Sequence, residues 1–152
     1  LVQIRGELSW LFAPHQDVGF RFTDSQQTDE TTAFTHTGLL PIRVASLNTY
    51  RFFYRHPIGD RGCGTAEWQV GSSEDSQALL GMQLRTPLSG ELGLQTAANY
   101  LLPDGATSYR DEGWNLGIAL VWNPGRRFGT GRDYYRPLFD VADNGSLFIT
   151  RK

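Results

Sequence analysis

Hydrophobic and polar residues alternate along most of this chain with a period of two. The clearest segment runs from Gly113 to Gly125, where small or polar residues alternate with Trp114, Leu116, Ile118, Leu120 and Trp122. A period of two is typical of a β-strand whose two faces have different surroundings. The pattern therefore predicts a strand with one face made entirely of large apolar side chains.

Seven further segments show the same alternation, and no segment has the spacing of a helix. They span residues 4–13, 17–24, 31–38, 44–56, 64–71, 77–85 and 90–101. The breaks between them contain Gly, Pro, Asn, Asp and Ser, which are the residues that form tight turns. We predict an all-β fold, an antiparallel meander of about eight strands that is a barrel or barrel-like. This β domain covers 1–122, and an arginine-rich and aromatic loop with an irregular C-terminal tail covers 123–152.

Two architectures remain open, because a strand count of eight fits a small barrel and also a β-sandwich. In a sandwich, the second face of each strand meets water and would contain lysine and glutamate. Here that face is rich in Gly, Ala, Asn, Gln and Thr, which suits the crowded interior of a barrel. The loop lengths favour the sandwich, because they do not alternate between short and long as in outer-membrane barrels.

The segment from Trp114 to Trp122 has the length of a membrane-crossing strand. Eight steps of about 3.3 Å give about 26 Å, or about 20 Å perpendicular to a membrane at a tilt of about 40°. Tryptophan suits the two boundaries of a membrane, since its ring is apolar and its N–H needs a polar partner. We therefore expect Trp114, Leu116, Ile118, Leu120 and Trp122 to face outer-membrane lipid. In a soluble sandwich the same indoles would lie in the core.

Composition limits the class of protein. The chain has 152 residues with 12% aromatic and 20% charged residues, which predicts one strand-rich domain. A net charge of -2 argues against nucleic-acid binding, which needs a basic surface. No apolar run is long enough for a transmembrane helix, and the start at Leu1 predicts a mature or trimmed chain. The single cysteine, Cys63, excludes an internal disulfide.

No set of residues has the spacing of an active site. His15, His36 and His56 are far apart in sequence and lack metal-ligand spacing. The serines lack a GxSxG motif, and the carboxylates are scattered. The sequence therefore predicts a protein that is not an enzyme, with no catalytic residues, no cofactor and no metal site.

The tail contains a second candidate surface. Four arginines follow the last strand in a glycine-rich loop that lacks the lysine of a phosphate-binding loop. They could meet lipid phosphates, lipopolysaccharide or the carboxylates of a neighbouring subunit, and the alternative is a solvated loop. The final segment, 138–152, could dock on the domain or add a strand to a neighbour's sheet. The candidate contact residues are Arg126, Arg127, Arg132, Arg136 and Phe148.

Three stretches resemble a known group of proteins: ELGLQTAANYLLPDG, WNLGIALVWNPGRR and YYRPLFDVADNGSLFITRK. They are similar to the C-terminal part of an uncharacterised family of planctomycete cell-envelope proteins. The resemblance covers roughly residues 90–152 and depends on the PG-R-R turn and the RPLFDVADNG segment. It implies an envelope location and a barrel-like sheet, and it supplies no activity.

Two hypotheses follow. The first is a non-enzymatic outer-envelope protein, a structural or pore-forming subunit located in the outer membrane or at the cell surface. It would contact lipid and form a homo-oligomer or larger assembly through the C-terminal tail. The second is a soluble β-sandwich module whose interleaved arginines and aromatics bind a glycan or a protein partner.

Overall fold

The computed structural model describes residues 2–36, 38–59, 64–103, 113–122, 124 and 148–151. Regular structure in these residues consists of β-strands, with no helix among them. The strands are β1 Gln3–Ala13, β2 Gln16–Ser25, β3 Thr28–Thr35, β4 Gly38–Ser46, β5 Thr49–Ile58, β6 Gly64–Ser73, β7 Ala78–Pro87, β8 Leu92–Leu101, β9 Gly113–Trp122 and β10 Ile149–Arg151. The prediction of an all-β fold is confirmed.

Seven of the strands form one antiparallel sheet in the order β1-β2-β5-β6-β7-β8-β9. The hairpin of β3 and β4 lies outside this sheet and forms a second, three-stranded sheet with β10. The predicted antiparallel meander is therefore confirmed, with nine long strands instead of about eight. The seven-stranded sheet is not a closed barrel, because β1 and β9 each pair on one side only within the described chain.

The sequence prediction was wrong in one region. Residues 39–43 were expected to be a break, yet they lie within β4, and the strand predicted over 44–56 is divided between β4 and β5. The turn that divides it, at Leu47 and Asn48, has neither glycine nor proline to mark it. Pro41 is tolerated in β4 because β10 pairs only with Val44–Ser46, which leaves Pro41 on an open edge.

The register divides the seven-stranded sheet into two faces. One row of partners across the sheet runs Ser9, Gly19, Phe53, Gln69, Gly81, Asn99 and Asn115. Partners across a sheet share a face, and neighbours along a strand do not. Odd-numbered residues of these strands therefore form one face, here called the polar face. Even-numbered residues form the other, here called the apolar face.

The sheet curves with the polar face on the inside. The Nη1 atom of Arg51 on β5 donates a hydrogen bond of 3.3 Å to the Oδ1 atom of Asn99 on β8, although β6 and β7 lie between. Three strand spacings in a flat sheet would separate these backbones by about 14 Å. The curvature needs small residues inside: a Cβ atom at Gly81 would lie 2.7 Å from Asn99 Oδ1.

A small apolar cluster lies on the polar face. Leu47, Leu79, Leu101 and Phe148 are buried together, and the backbone N–H of Leu47 donates to the carbonyl of Phe148 at 2.8 Å. β10 follows Phe148 directly and pairs with the end of β4. This part of the tail therefore docks on its own chain, which was one of the two predicted outcomes.

Candidate functional surface

The apolar face of β9 is exposed along its whole length. Trp114 and Trp122 are 74% and 65% exposed, and the three residues between them are similarly open: Leu116, Ile118 and Leu120. All five residues predicted to share this face do so. Neither indole lies in a core between two sheets in the part of the chain that the structure describes.

The same exposure extends across the sheet to β1. Large apolar side chains are exposed on β1, β2, β5, β6 and β7, while those of β8 are half-buried; the exposed ones include Leu8, Trp10, Val18, Phe52, Trp68, Val70 and Leu80. A shallow groove crosses all seven strands between two rows of these side chains. Among the even-numbered positions of these strands, Asp24 at the end of β2 is the single carboxylate, and no lysine or arginine occurs there. The apolar face is therefore a continuous hydrophobic surface.

Every tryptophan and tyrosine of the described chain lies on this apolar face. Trp10 and Trp122 lie towards the end that contains the β5–β6 connection, Tyr50, Tyr100 and Trp114 lie towards the opposite end, and Tyr54 and Trp68 lie at the middle of β5 and β6.

Several of these rings have their polar atoms satisfied at the rim. The indole N–H of Trp122 donates to Glu91 Oε2 at 3.3 Å, and the hydroxyl of Tyr54 donates to Gln16 Oε1 at 2.9 Å. Both acceptors lie beside turns. The apolar ring bodies therefore cover the face while their polar atoms bond at its border.

The polar face contains a buried network of charges centred on Arg55. Its guanidinium donates to Asp17 Oδ2 at 2.9 Å, to Glu7 Oε1 at 3.0 Å and to Glu67 Oε2 at 2.7 Å. Arg21 pairs with two of the same carboxylates, at 2.6 Å to Glu7 and 3.1 Å to Glu67. These residues come from β1, β2, β5 and β6, so the ion pairs connect four strands.

An aromatic ring lies among these charges. The guanidinium carbons of Arg21 and Arg55 lie 5.3 Å and 4.6 Å from the ring centre of Phe53. A guanidinium over an aromatic face is attracted by the electron density of the ring. Phe53 thus fills the interior beside the two arginines, and the face of its ring attracts both cations.

The network continues towards the other side of the sheet. Gln69 donates to Glu67 Oε1, and Arg51 Nη1 donates to Gln69 Oε1 at 2.9 Å and to Asn99 at 3.3 Å. Arg51 is only 1% exposed. A continuous chain of polar contacts therefore runs inside the sheet from Glu7 on β1 to Asn99 on β8.

Other predicted contact residues fall elsewhere. Arg126, Arg127, Arg132 and Arg136 lie outside the described residues, as does Cys63. Phe148 is 8% exposed and packs in the cluster with Leu47, Leu79 and Leu101, so its ring is part of the interior instead of a surface for a partner. His56 stacks on Tyr54 with ring centres 5.3 Å apart.

No group of side chains suited to hold a metal ion is found within the described ranges. Nor does any helix in those ranges have the length and apolar character to cross a bilayer.

Sequence reasoning missed the charge network, because it treated the carboxylates as scattered. The signal was present: Glu7, Asp17, Arg21, Arg55 and Glu67 all occupy odd-numbered positions of predicted strands. Alternation could place them on one face. It could not show which strands are neighbours.

The comparison with known families gives one match. The model of a family of unknown function, DUF6666, matches residues 1–149. The chain belongs to the DUF6666 family. The match covers nearly the whole DUF6666 chain, and a family of unknown function agrees with the uncharacterised family that residues 90–152 resemble. Searches of curated proteins and of solved structures find no match. For this DUF6666 chain, two features therefore need a functional explanation: an exposed apolar face and a buried polar one.

Proposed function

We propose that this chain is a non-enzymatic structural protein of the bacterial outer envelope whose apolar face lies against membrane lipid. The observation that supports this is an inverted pattern of burial. Trp114 is 74% exposed, while Arg51 and Glu67 are 1% and 3% exposed. In water-soluble proteins large apolar side chains are usually buried, and arginine and glutamate are mostly exposed.

The energetic argument follows from the size of the apolar face. Leaving one large apolar side chain in water instead of burying it costs about 1.5–3 kcal/mol. The exposed side chains of this face are numerous and come from six strands, β1, β2, β5, β6, β7 and β9, with the half-buried side chains of β8 between them. Contiguous surfaces of this kind mark contact with a protein or a membrane. Trp10, Trp114 and Trp122 lie near the ends of their strands, and the indole N–H of Trp122 is hydrogen-bonded to Glu91, which favours a membrane interface.

The interior favours a structural role over a pore. A water-filled channel would leave polar side chains of the inner face exposed. Here Gln69, Gln83 and Asn99 are buried together with the charge network. The interior is thus filled by its own side chains.

The proposal also includes the C-terminal tail. Its four arginines would contact lipid headgroups or a neighbouring subunit, and the tail would mediate assembly.

Tryptophan fluorescence tests the proposal directly, because Trp10, Trp68, Trp114 and Trp122 all lie on the apolar face. The protein would be reconstituted in vesicles of ordinary lipid and of lipid brominated on the acyl chain. We expect emission at short wavelength and strong quenching by the brominated lipid. A variant that retains Trp114 alone would report on β9 by itself.

Emission typical of indoles in water, unchanged by brominated lipid, would contradict the proposal. A cell fractionation gives an independent measurement. If salt alone releases the protein from the envelope fraction, the soluble binding module is the better explanation. If detergent is required, lipid contact is supported.

A further inference from the structure

Within the described residues, the seven-stranded sheet has two unpaired edges that run in the same direction. In the order β1-β2-β5-β6-β7-β8-β9 each strand is antiparallel to the next, and the number of strands is odd. β1 and β9 are therefore parallel to each other and cannot form an antiparallel pair. One additional strand, running in the opposite direction, could pair antiparallel with both edges at once.

The β9 edge lacks the usual protection. Natural proteins prevent pairing at open edges with lysines, prolines or bulges. From Gly113 to Trp122, β9 has neither a charged residue nor a proline. β1 has the charged residues Arg5 and Glu7, and a bulge only at its last residues, between Leu11 and Ala13. The inference rests on the proposed function, because each unpaired backbone group in lipid costs several kcal/mol and both edges must then be paired.

The interior is also incomplete at β9. The polar network reaches Asn99 on β8, whose partner on β9 is Asn115. Asn115 Oδ1 is buried and has no hydrogen-bond donor among the described residues. A strand placed on the free side of β9 could present a hydroxyl or amide donor to this oxygen. A buried acceptor without a donor is costly, so this contact would favour the added strand.

We propose that β9 and β1 receive one extended strand of about ten residues from a partner peptide, which completes an eight-stranded antiparallel barrel. Its outward residues are apolar and its alternate, inward residues are small and polar, so that both faces of the sheet continue without a break. Eight strands give an interior that side chains just fill, in agreement with the buried polar face.

The probe for this test is a synthetic peptide with the β8 sequence, LGLQTAANYL. β8 already pairs antiparallel with β9, and its Leu, Leu, Thr, Ala and Tyr alternate with Gly, Gln, Ala and Asn before the final Leu101. The control is a scrambled peptide of the same composition, and both have two terminal lysines for solubility. With the protein in detergent micelles, we expect the β8 peptide to bind one to one and to raise the melting temperature. The scrambled peptide should do neither.

A cross-linking experiment tests whether one strand contacts both edges. In a Cys63→Ser background, Ser9→Cys marks β1 and Asn115→Cys marks β9, and each variant is treated with β8 peptide bearing a central maleimide. We expect both variants to be labelled by the peptide, and circular dichroism confirms that each retains its strands. Labelling of one edge alone, or of neither, would overturn the proposal.

Two further outcomes would identify a different occupant. Disulfide-linked dimers of the single-cysteine variants would show that a second copy covers the edge. A bond between positions 9 and 115 within one double variant, without peptide, would show that the sheet closes on itself. Brominated-lipid quenching is measured on the same preparations. Lost peptide binding with quenching intact overturns only the added strand, whereas lost quenching overturns the proposed function.

Discussion

Glu67 shows how a single residue holds the polar face together. It is buried and binds both Arg21 and Arg55. Replacing it by Gln leaves two largely buried guanidiniums with one carboxylate fewer, and removing one partner of a buried pair costs about 3–5 kcal/mol. We expect Glu67→Gln to lower the free energy of unfolding by about this amount, measured by urea denaturation in micelles.

The control for this variant is an exposed ion pair in the same chain. Glu30 and Arg43 are 2.9 Å apart, and their side chains are 67% and 68% exposed. Exposed pairs contribute about 1 kcal/mol or less, so Glu30→Gln should have little effect. Similar losses in the two variants would show that burial of the network is not what stabilises the sheet.

Gly71 shows the importance of close approach between strands. A Cβ atom there would lie 2.0 Å from the backbone oxygen of Tyr50, and neither backbone can move without disturbing the β5–β6 pairing. Overpacking of this kind costs about 1–3 kcal/mol. We expect Gly71→Ala to lower the midpoint of urea unfolding. Gly90→Ala is the control, because no atom lies within 4 Å of its added Cβ. An unaffected midpoint for Gly71→Ala would show that the strands can separate at little cost.

At the scale of elements, β9 presents its apolar side to the surroundings without any cover. Ile118 is at the middle of this side and is exposed. An arginine at the middle of a lipid-facing strand costs about 2–4 kcal/mol. We expect Ile118→Arg to lower the partitioning of the protein from urea solution into lipid vesicles by the factor that corresponds to this free energy. The measurement is the fraction of protein that sediments with the vesicles.

Leu39→Arg is the control for this substitution. Leu39 is also exposed and apolar, but it lies on β4, outside the seven-stranded sheet. Its replacement should leave partitioning nearly unchanged. If Ile118→Arg and Leu39→Arg reduce partitioning equally, the apolar side of β9 has no special contact with lipid.

At the scale of the whole molecule, the filled interior predicts that the protein does not conduct ions. Buried polar side chains on β2, β5, β6, β7 and β8 fill the inner face, which argues against a continuous water path. Planar bilayers with the reconstituted protein should show no steady current. A porin of known conductance, inserted in the same bilayers, serves as the positive control. Stable channels from this protein would favour the pore-forming alternative.

The fold was largely predictable because alternation is a local property of an extended backbone. Every predicted strand matches an observed one except over 44–56, where a turn without glycine or proline divides two strands. The five apolar residues of β9 were found by the same pattern. The partners of Arg55 were not, because Glu7 is 48 residues away and nothing local indicates that β5 lies two strands from β1.

The sequence by itself determined which residues share a face, since the period of two follows from the geometry of each strand alone. Tertiary structure decided which face turns inward, because that depends on how distant strands pair and how the sheet curves. Only when β1, β2, β5 and β6 come together do Glu7, Arg21, Arg55 and Glu67 neutralise one another inside, which leaves Trp114 and Trp122 outside.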